Sequence, residues 1–390
     1  MVDILSQEEI GLRLGLLMER LRGESLDGAL FVHPPDIFYF SGTRQNSALW
    51  IPVAGEPSLL VRKSLSRARA ESFISDTRPF PPSRELHEVF GGARRIGVTM
   101  DVMPAQHYQF YSGLPGGREF SDISKINREL RSVKSPLEQE LLRESGRRFC
   151  EVFSKVPGIF RPGMKETDLA AEFEYLLRRA GNAPLVRMRS FGQDIVGLAV
   201  SGAAASEPGC FDGAVSGRGI RNNAPFGSSP AAIKENSPIM IDYPGIFSGY
   251  IVDMTRIFAA GILQPDMLEA FEATLRIQAW LAGRLTPGAI CEDLYAGALE
   301  LARGSGFGEY FMGVPGENAR FVGHGVGLEL DEAPVLAGGF KYPLKAGNVI
   351  AIEPKFVFPG KGAIGIENTW LVTEAGGEKL TDYPDDIVYL

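Results

Sequence analysis

Apolar and polar positions change rhythm along the chain. Up to about residue 130, short apolar runs bounded by Gly and Pro recur: ALFVH (29–33), IFYFSG (37–42), SALWIPVAG (47–55), PSLLVR (57–62) and RIGVTM (95–100). Brief apolar or β-branched runs cut off by turn formers predict strands. Interleaved with helix-like stretches, they predict an α/β layered unit. At Ser135-Pro136-Leu137-Glu138 the pattern becomes helical. Ser at the N-cap, Pro at the first helical position and Glu at the third make a capping box, in which side chain and backbone satisfy each other's unpaired groups. Leu137, Leu141, Phe149, Val152, Phe153 and Val156 then follow at helical spacing, predicting an amphipathic helix to about residue 156. The boundary splits the chain into residues 1–131 and residues 132–390.

The second unit reads as a diverged duplication. Pro162-Gly163 is followed by Asp168-Leu169 and a helical stretch ending at Gly181; Pro287-Gly288 is followed by Asp293-Leu294 and a helical stretch ending near Gly304. Each copy continues into a predicted β-hairpin opened by a matching phrase, Ile239-Met240-Ile241-Asp242 in one and Ile350-Ala351-Ile352-Glu353 in the other. Two such halves facing each other predict a pseudo-twofold sheet with a concave, acid-lined centre.

Composition narrows the chemistry. With 44% hydrophobic and 23% charged residues, the chain of 390 residues is an ordinary globular one with room for two domains. A net charge of −8 repels phosphate backbones and anionic lipid, which excludes general nucleic-acid or membrane binding. The N-terminal stretch MVDILSQEEIGLRLG carries acids where a signal peptide carries basic residues, so a cytoplasmic location is expected. Cys150, Cys210 and Cys291 are far apart and form no CxxC pair, so neither a disulfide framework nor a zinc knuckle is expected.

The chemistry lies in the hairpins. IMIDYPGIFSGYIVDMTRIF sets Asp242 and Asp253 among Ile, Val and Phe, and NVIAIEPKFVFPGKGAIGIENTWLV does the same with Glu353 and Glu367. Carboxylates in apolar strands either repel one another, neutralise by raised pKa, or share bound cations. Between the hairpins lies GHGVG, whose glycines predict a tight turn exposing His324. Each acid alone is also what a salt-bridged strand residue looks like. Together, two Asp, one His and two Glu are the ligand set of a two-metal hydrolytic centre, and mostly oxygen ligands with one imidazole suit Mn²⁺, with Co²⁺, Fe²⁺ or Zn²⁺ compatible.

These phrases carry a resemblance. Asp242 and Asp253, the following Thr255-Arg256, GHGVG with His324, IEP with Glu353 and IEN with Glu367, together with LRSVKSPLEQELLR and RPGMKETDL, resemble peptidase family M24, that of Xaa-Pro dipeptidase, aminopeptidase P and creatinase. The resemblance implies an α+β chain with an N-terminal creatinase-like α/β domain and a C-terminal pita-bread domain. It implies two divalent metal ions, one held by Asp242, Asp253 and Glu367, the other by Asp253, His324, Glu353 and Glu367. It further implies that Glu353 relays a proton, that a small peptide or peptide-like amide is cleaved by metal-activated hydroxide, and that the chain forms a homodimer.

The pattern also breaks. Gly209 stands where the resemblance calls for a substrate-contacting His, Arg320 stands before His324 and Asp331 after it where His is expected, and Gly365 replaces an Arg. An ionised Asp cannot donate to a developing oxyanion as a His can. Asp331 is therefore a candidate catalytic base or binder of a substrate cation, and Arg320 a candidate clamp for a substrate carboxylate. The alternatives are a metal-dependent lyase using Asp331 as its base and a non-catalytic binding protein on a peptidase scaffold.

Overall fold

The apolar runs of the first 130 residues fold into one mixed sheet. Its strands are Gly28–Phe31 (β1), Ser47–Pro52 (β2), Ser58–Val61 (β3), Asp76–Pro79 (β4), Arg95–Val98 (β5) and Glu119–Asp122 (β6), in the order β4-β3-β2-β1-β5-β6. β1, β2 and β3 pair antiparallel; the β3–β4, β1–β5 and β5–β6 pairs are parallel. The two edge strands, DTRP and EFSD, are polar and short, which protects an edge and hides it from a reading based on apolar runs. Trp50, Leu60, Phe90, Ile96 and Val98 form the core on one face.

One expected strand is a helix. IFYFSG lies in the helix Pro34–Ser41, which has Pro at its first positions, Asp36 in its first turn and Gly42 at φ 85° as its left-handed C-cap. The segment is buried almost all round, so its apolar residues show neither a period of two nor one of 3.6, and only the Pro-Pro and Gly boundaries mark it.

The computed structural model describes residues 5–390, so the first four residues of the acidic N-terminal stretch lie outside it. The chain divides into two units, one running to Arg131 and including Arg189–Phe191, the other comprising Ser132–Met188 and Gly192–Leu390. In the second, the helix Pro136–Phe153 carries the full capping box: Glu138 N donates to Ser135 Oγ at 3.2 Å and Ser135 N donates to Glu138 Oε2 at 3.0 Å. The helix ends at Phe153, short of residue 156, and its buried face runs through Glu138, Leu142, Gly146, Phe149 and Phe153, leaving Leu137 and Leu141 half-buried. Gly146 is needed on that face because a Cβ there would stand 2.0 Å from the Leu380 carbonyl oxygen.

The duplicated motifs become the helices Glu166–Arg179 and Cys291–Gly304, each opened by a glycine at positive φ, 80° at Gly163 and 90° at Gly288. After Leu198–Ser201 (β7), the strands Pro238–Phe247 (β8) and Tyr250–Ala259 (β9) pair along their whole length. Ser248 and Gly249 both take positive φ in the two-residue turn between them, matching the twist of the strands. Next come Phe321–Gly325 (β10), Glu332–Ala337 (β11), Val349–Ile352 (β12), Lys355–Phe358 (β13), Gly362–Gly365 (β14), Asn368–Thr373 (β15), Gly376–Lys379 (β16) and Val388–Tyr389 (β17). One sheet has the order β17-β9-β8-β7 and the other β11-β10-β12-β15-β16, with β13 and β14 a separate two-stranded ladder. The second hairpin is therefore interrupted: β12 pairs with β15 and β13 with β14, and Glu353 and Glu367 sit at the two breaks. A bridge between Thr255 and Glu367 joins the two sheets at this point.

Candidate metal centre

Strand register brings the acids to one place. Asp242 pairs with Thr255 and Pro244 with Asp253, so Asp242 and Asp253 are diagonal neighbours on one face of the β8–β9 ladder. Thr255 exchanges backbone hydrogen bonds with Glu367 at 3.3 Å in each direction, and its Oγ1 donates to Glu367 Oε2 at 2.9 Å. Thr369 Oγ1 accepts from Asp253 N at 2.7 Å. Behind them, the buried Arg256 guanidinium donates to the carbonyl oxygens of Thr255 and Glu367, both at 2.8 Å, and to Asn368 Oδ1 at 2.8 Å. The Thr255-Arg256 phrase thus locks both hairpins together directly under the acids.

His324 occupies mid-strand, and the expected tight turn is not there. It lies in β10 between β11 and β12, paired with Val335 and Ala351, and is 6% exposed. Its flanking glycines serve close approach: a Cβ on Gly323 would lie 2.6 Å from the Ala351 carbonyl oxygen, and one on Gly325 2.5 Å from that of Ala333. His324 Nδ1 faces the Leu330 carbonyl at 3.1 Å and Asp331 Oδ1 at 3.2 Å, which leaves Nε2 facing Glu353 Oε1 at 3.6 Å and Glu367 Oε1 at 3.8 Å.

Asp242, Asp253, His324, Asp331, Glu353 and Glu367 all line one cavity of about 610 Å³, counted with its open mouth. Arg320 is not brought to it: the residue is exposed just before β10, and the neighbouring Phe321 takes the place on the wall. Gly209 lies apart as well, packed against Ser216, where a Cβ would come within 2.6 Å of the serine Cβ. Instead the Gly-rich stretch beyond it supplies an apolar wall through Val215 and Phe226, with Phe211 stacked on Phe226 at 6.4 Å. Glu166 anchors that stretch, accepting from Ser201 N at 2.7 Å and Ser229 N at 2.8 Å.

One residue of the centre escaped the sequence reading. Lys355, at the start of β13, extends its ammonium into the cluster and donates to Glu353 Oε2 at 2.7 Å, Asp242 Oδ2 at 2.9 Å and Glu367 Oε2 at 3.0 Å. Its side chain is 3% exposed. A signal was present: Lys355 is a lone cation in the apolar run IAIEPKFVF, two residues after Glu353.

Burial governs the electrostatics. It pushes the Asp253 carboxyl well above the ordinary carboxylate range, with the charges of Glu367 and Asp242 pushing the same way. Asp242 and Glu367 are raised too, by burial first, with Lys355 pulling each back. Burial pulls Lys355 down, but Asp242, Glu353 and Glu367 outweigh it and hold the ammonium well above its usual value. For His324, burial is outweighed by Asp331, Glu353 and Glu367, and the imidazole is raised.

The donor set answers whether cations fit. Asp253, His324 and Glu367 offer one ligand atom each, all within 4.8 Å of one another, a spacing that closes around a single divalent ion. Glu367 Oε1, on that side, is buried without a hydrogen-bond partner, as expected of an atom that awaits a cation. On the other side, where Asp242 meets Glu367 Oε2, the Lys355 ammonium already fills the space between the oxygens. The residues fit one ion; they do not fit a second.

Comparison with known proteins agrees with this architecture. Residues 140–374 match the profile described as Metallopeptidase family M24, and residues 13–133 match the Creatinase/Prolidase N-terminal domain. The chain is 27% identical over 378 residues to an Xaa-Pro dipeptidase of Pyrococcus furiosus, covering 95% of this chain and 97% of that protein. It is 25% identical to a probable dipeptidase PepE of Mycobacterium bovis, covering 96% of this chain and 95% of that protein. Among solved structures, an Xaa-Pro dipeptidase from Bacillus anthracis superposes with a TM-score of 0.84 at 21% identity, covering 98% of this chain and 100% of the other, a likeness of fold. The fold is the expected α+β one, a creatinase-type N-terminal α/β domain and a pita-bread domain.

Proposed function

The chain belongs to metallopeptidase family M24, whose members carry a dinuclear metal site, and we propose on that footing that it hydrolyses a small peptide or peptide-like amide as an enzyme of the Xaa-Pro dipeptidase class. The observation that carries the reading is the convergence of Asp253, His324, Glu353 and Glu367 from four strand segments on one cavity. A divalent ion there, Mn²⁺ by the preference of its donors, supplies polarisation of the scissile carbonyl and acidification of a water.

The chain's own residues do the remainder. Asp253, His324 and Glu367 would hold the ion. The Leu330 carbonyl and Asp331 fix the imidazole through Nδ1, so that Nε2 is the atom presented. Asp331 therefore orients His324 and is not a free base. Glu353, with Oε2 tied to Lys355, has Oε1 directed to the His324 side of the cavity. It takes the proton of the attacking water and returns it to the leaving nitrogen. Phe211, Phe226 and Val215 exclude water and accept an apolar or prolyl side chain. Arg320 is exposed and not among the lining residues, so this reading gives it no role as a clamp for a substrate carboxylate. Assembly as a homodimer belongs to the same proposal, and light scattering on the purified chain tests it.

The test is a panel of Xaa-Pro and non-prolyl dipeptides and tripeptides with Mn²⁺. Expected is release of free amino acids, lost at least about 100-fold in Glu353→Gln, the scale of a missing acid–base catalyst. A metal-loaded protein inert across the panel refutes the reading. That outcome favours a second one, a binding protein on a retired peptidase scaffold, for which the observation is Lys355 inside the ligand cluster.

A further inference from the structure

We propose that the Lys355 ammonium is a built-in cation that takes the place of one of the two metal ions, so that the centre seats a single divalent ion on Asp253, His324 and Glu367. The inference rests on the reading of this cavity as a metal centre, and it changes what that centre contains.

Geometry comes first. Nζ stands 2.7, 2.9 and 3.0 Å from oxygens of Glu353, Asp242 and Glu367, which come from three separate strand segments. An ammonium has three protons and no lone pair, so these contacts exhaust it. A divalent ion coordinates carboxylate oxygen at about 2.0–2.2 Å. An ion bridging Asp242 Oδ2 and Glu367 Oε2 would have to stand in the gap that Nζ fills.

The lysine is also fixed where it is. Its backbone is in the β13–β14 ladder opposite Gly365, and its carbonyl accepts from Met312 N at 2.8 Å. The stem crosses Gly365, where an added Cβ would stand 2.6 Å from Lys355 Cγ and 2.7 Å from Lys355 Cα. The missing side chain at 365 is what makes room for the lysine, and the two residues form a matched cross-strand pair. At 3% exposure, the Lys355 side chain is held within the cluster rather than in solvent.

Glu367 shows the division of labour in one carboxylate. Oε2 accepts from Lys355 and Thr255, while Oε1 is buried, without a hydrogen bond, and faces His324 Nε2 at 3.8 Å. Charge alone sets no limit: with Asp331 the cluster carries five carboxylates, against which one ammonium and one divalent ion bring three positive charges, so it is the position of Nζ between the oxygens that decides.

The test uses the full chain, stripped with chelator, reloaded with excess Mn²⁺ and dialysed. Elemental analysis is expected to give one Mn per chain, and electron paramagnetic resonance the six-line pattern of an isolated ion. Lys355→Gly opens the gap and is expected to double the content to two Mn per chain with a spin-coupled spectrum. His324→Ala, which leaves Lys355 in place, is expected to lose the single ion. Two Mn per wild-type chain, none at all, or one that survives in His324→Ala each overturn the proposal, and the first and last need no Lys355 variant to fold. The two readings fail separately. One Mn per chain with an inert peptide panel removes the peptidase reading alone, whereas turnover with two Mn per chain removes this inference alone.

Discussion

Replacing Lys355 by Met keeps an unbranched stem over Gly365 and removes only the charge. In wild type the ammonium bridges the buried Glu353 and Glu367 carboxylates and the half-buried Asp242 carboxylate at 2.7–3.0 Å. Removing one partner of a buried ion pair leaves the other charged and dry, a loss of about 3–5 kcal/mol. Proton uptake by Asp242 and Glu367, both already raised, holds the loss to that range rather than to the sum of three contacts. For a unit of this size, 1 kcal/mol corresponds to about 2 °C in Tm, so the chelator-treated variant should melt roughly 6–10 °C below wild type. The assay is thermal unfolding followed by circular dichroism, with chelator and then with Mn²⁺. Excess ion at about a hundred times its Kd returns about 2.7 kcal/mol to each site it fills, and the variant has one more site to fill, so Mn²⁺ should narrow the gap. The Lys355 contribution is present at neutral pH and is lost only as pH rises through its folded value, which lies above the ordinary lysine range, so the comparison is safe at pH 7–8. A variant as stable as wild type in chelator would refute the argument, since the carboxylates would then not depend on the ammonium.

Asp331→Asn weakens the acceptor that orients His324 Nδ1 and should lower Mn²⁺ affinity about 10–100-fold by titration calorimetry; unchanged affinity would detach Asp331 from the centre. Arg256→Met removes the charged donor shared by the carbonyls of Thr255, Glu367 and Tyr383 and by Asn368 Oδ1, and should cost on the order of 3–5 kcal/mol in denaturant unfolding, where a loss below about 1 kcal/mol would show that the guanidinium does not tie the hairpins. The raised Asp253 carboxyl gives a pH prediction. Between its unfolded and folded values the native chain holds the extra proton, so the stability it contributes falls as pH rises above about 4. Asp253→Asn should therefore stabilise the chelator-treated chain at pH 7–8, with the difference shrinking toward pH 4.5, and destabilise it relative to wild type once Mn²⁺ is present. A difference that grows toward low pH would reverse the sign of the argument.

What could be read from the residues alone followed the strength of the local signal. The capping box at Ser135 and Glu138 is purely local, and its hydrogen bonds are as read. The β8–β9 hairpin was legible because two apolar runs flank a Ser-Gly turn, and both strands are buried along nearly their whole length. The segment 37–42 was misread because a fully buried element erases its own period. GHGVG was misread because glycine has two uses: freedom of φ, and absence of a side chain where backbones crowd. The second applies at Gly323 and Gly325, and only the neighbouring strands reveal it. Arg320 and Asp331 flank the same histidine in sequence, yet Asp331 reaches the cavity while Arg320 faces solvent.

Lys355 and Gly365 show why the centre's composition was harder to read than its location. The acids draw attention because charge in apolar strands demands compensation, and an external cation is the usual remedy. The remedy at Lys355 lies within the same strand run, two residues from Glu353, but its meaning depends on the register that sets it across from a residue with no side chain. Read separately, Lys355 is a stray charge and Gly365 a deletion; read as a pair, they place a cation. A metal pair must be supplied from outside and couples folding of such a cluster to metal supply. A tethered ammonium neutralises part of the cluster as soon as the hairpin closes, and leaves the affinity of the remaining ion to be set by His324, Asp253 and the free oxygen of Glu367.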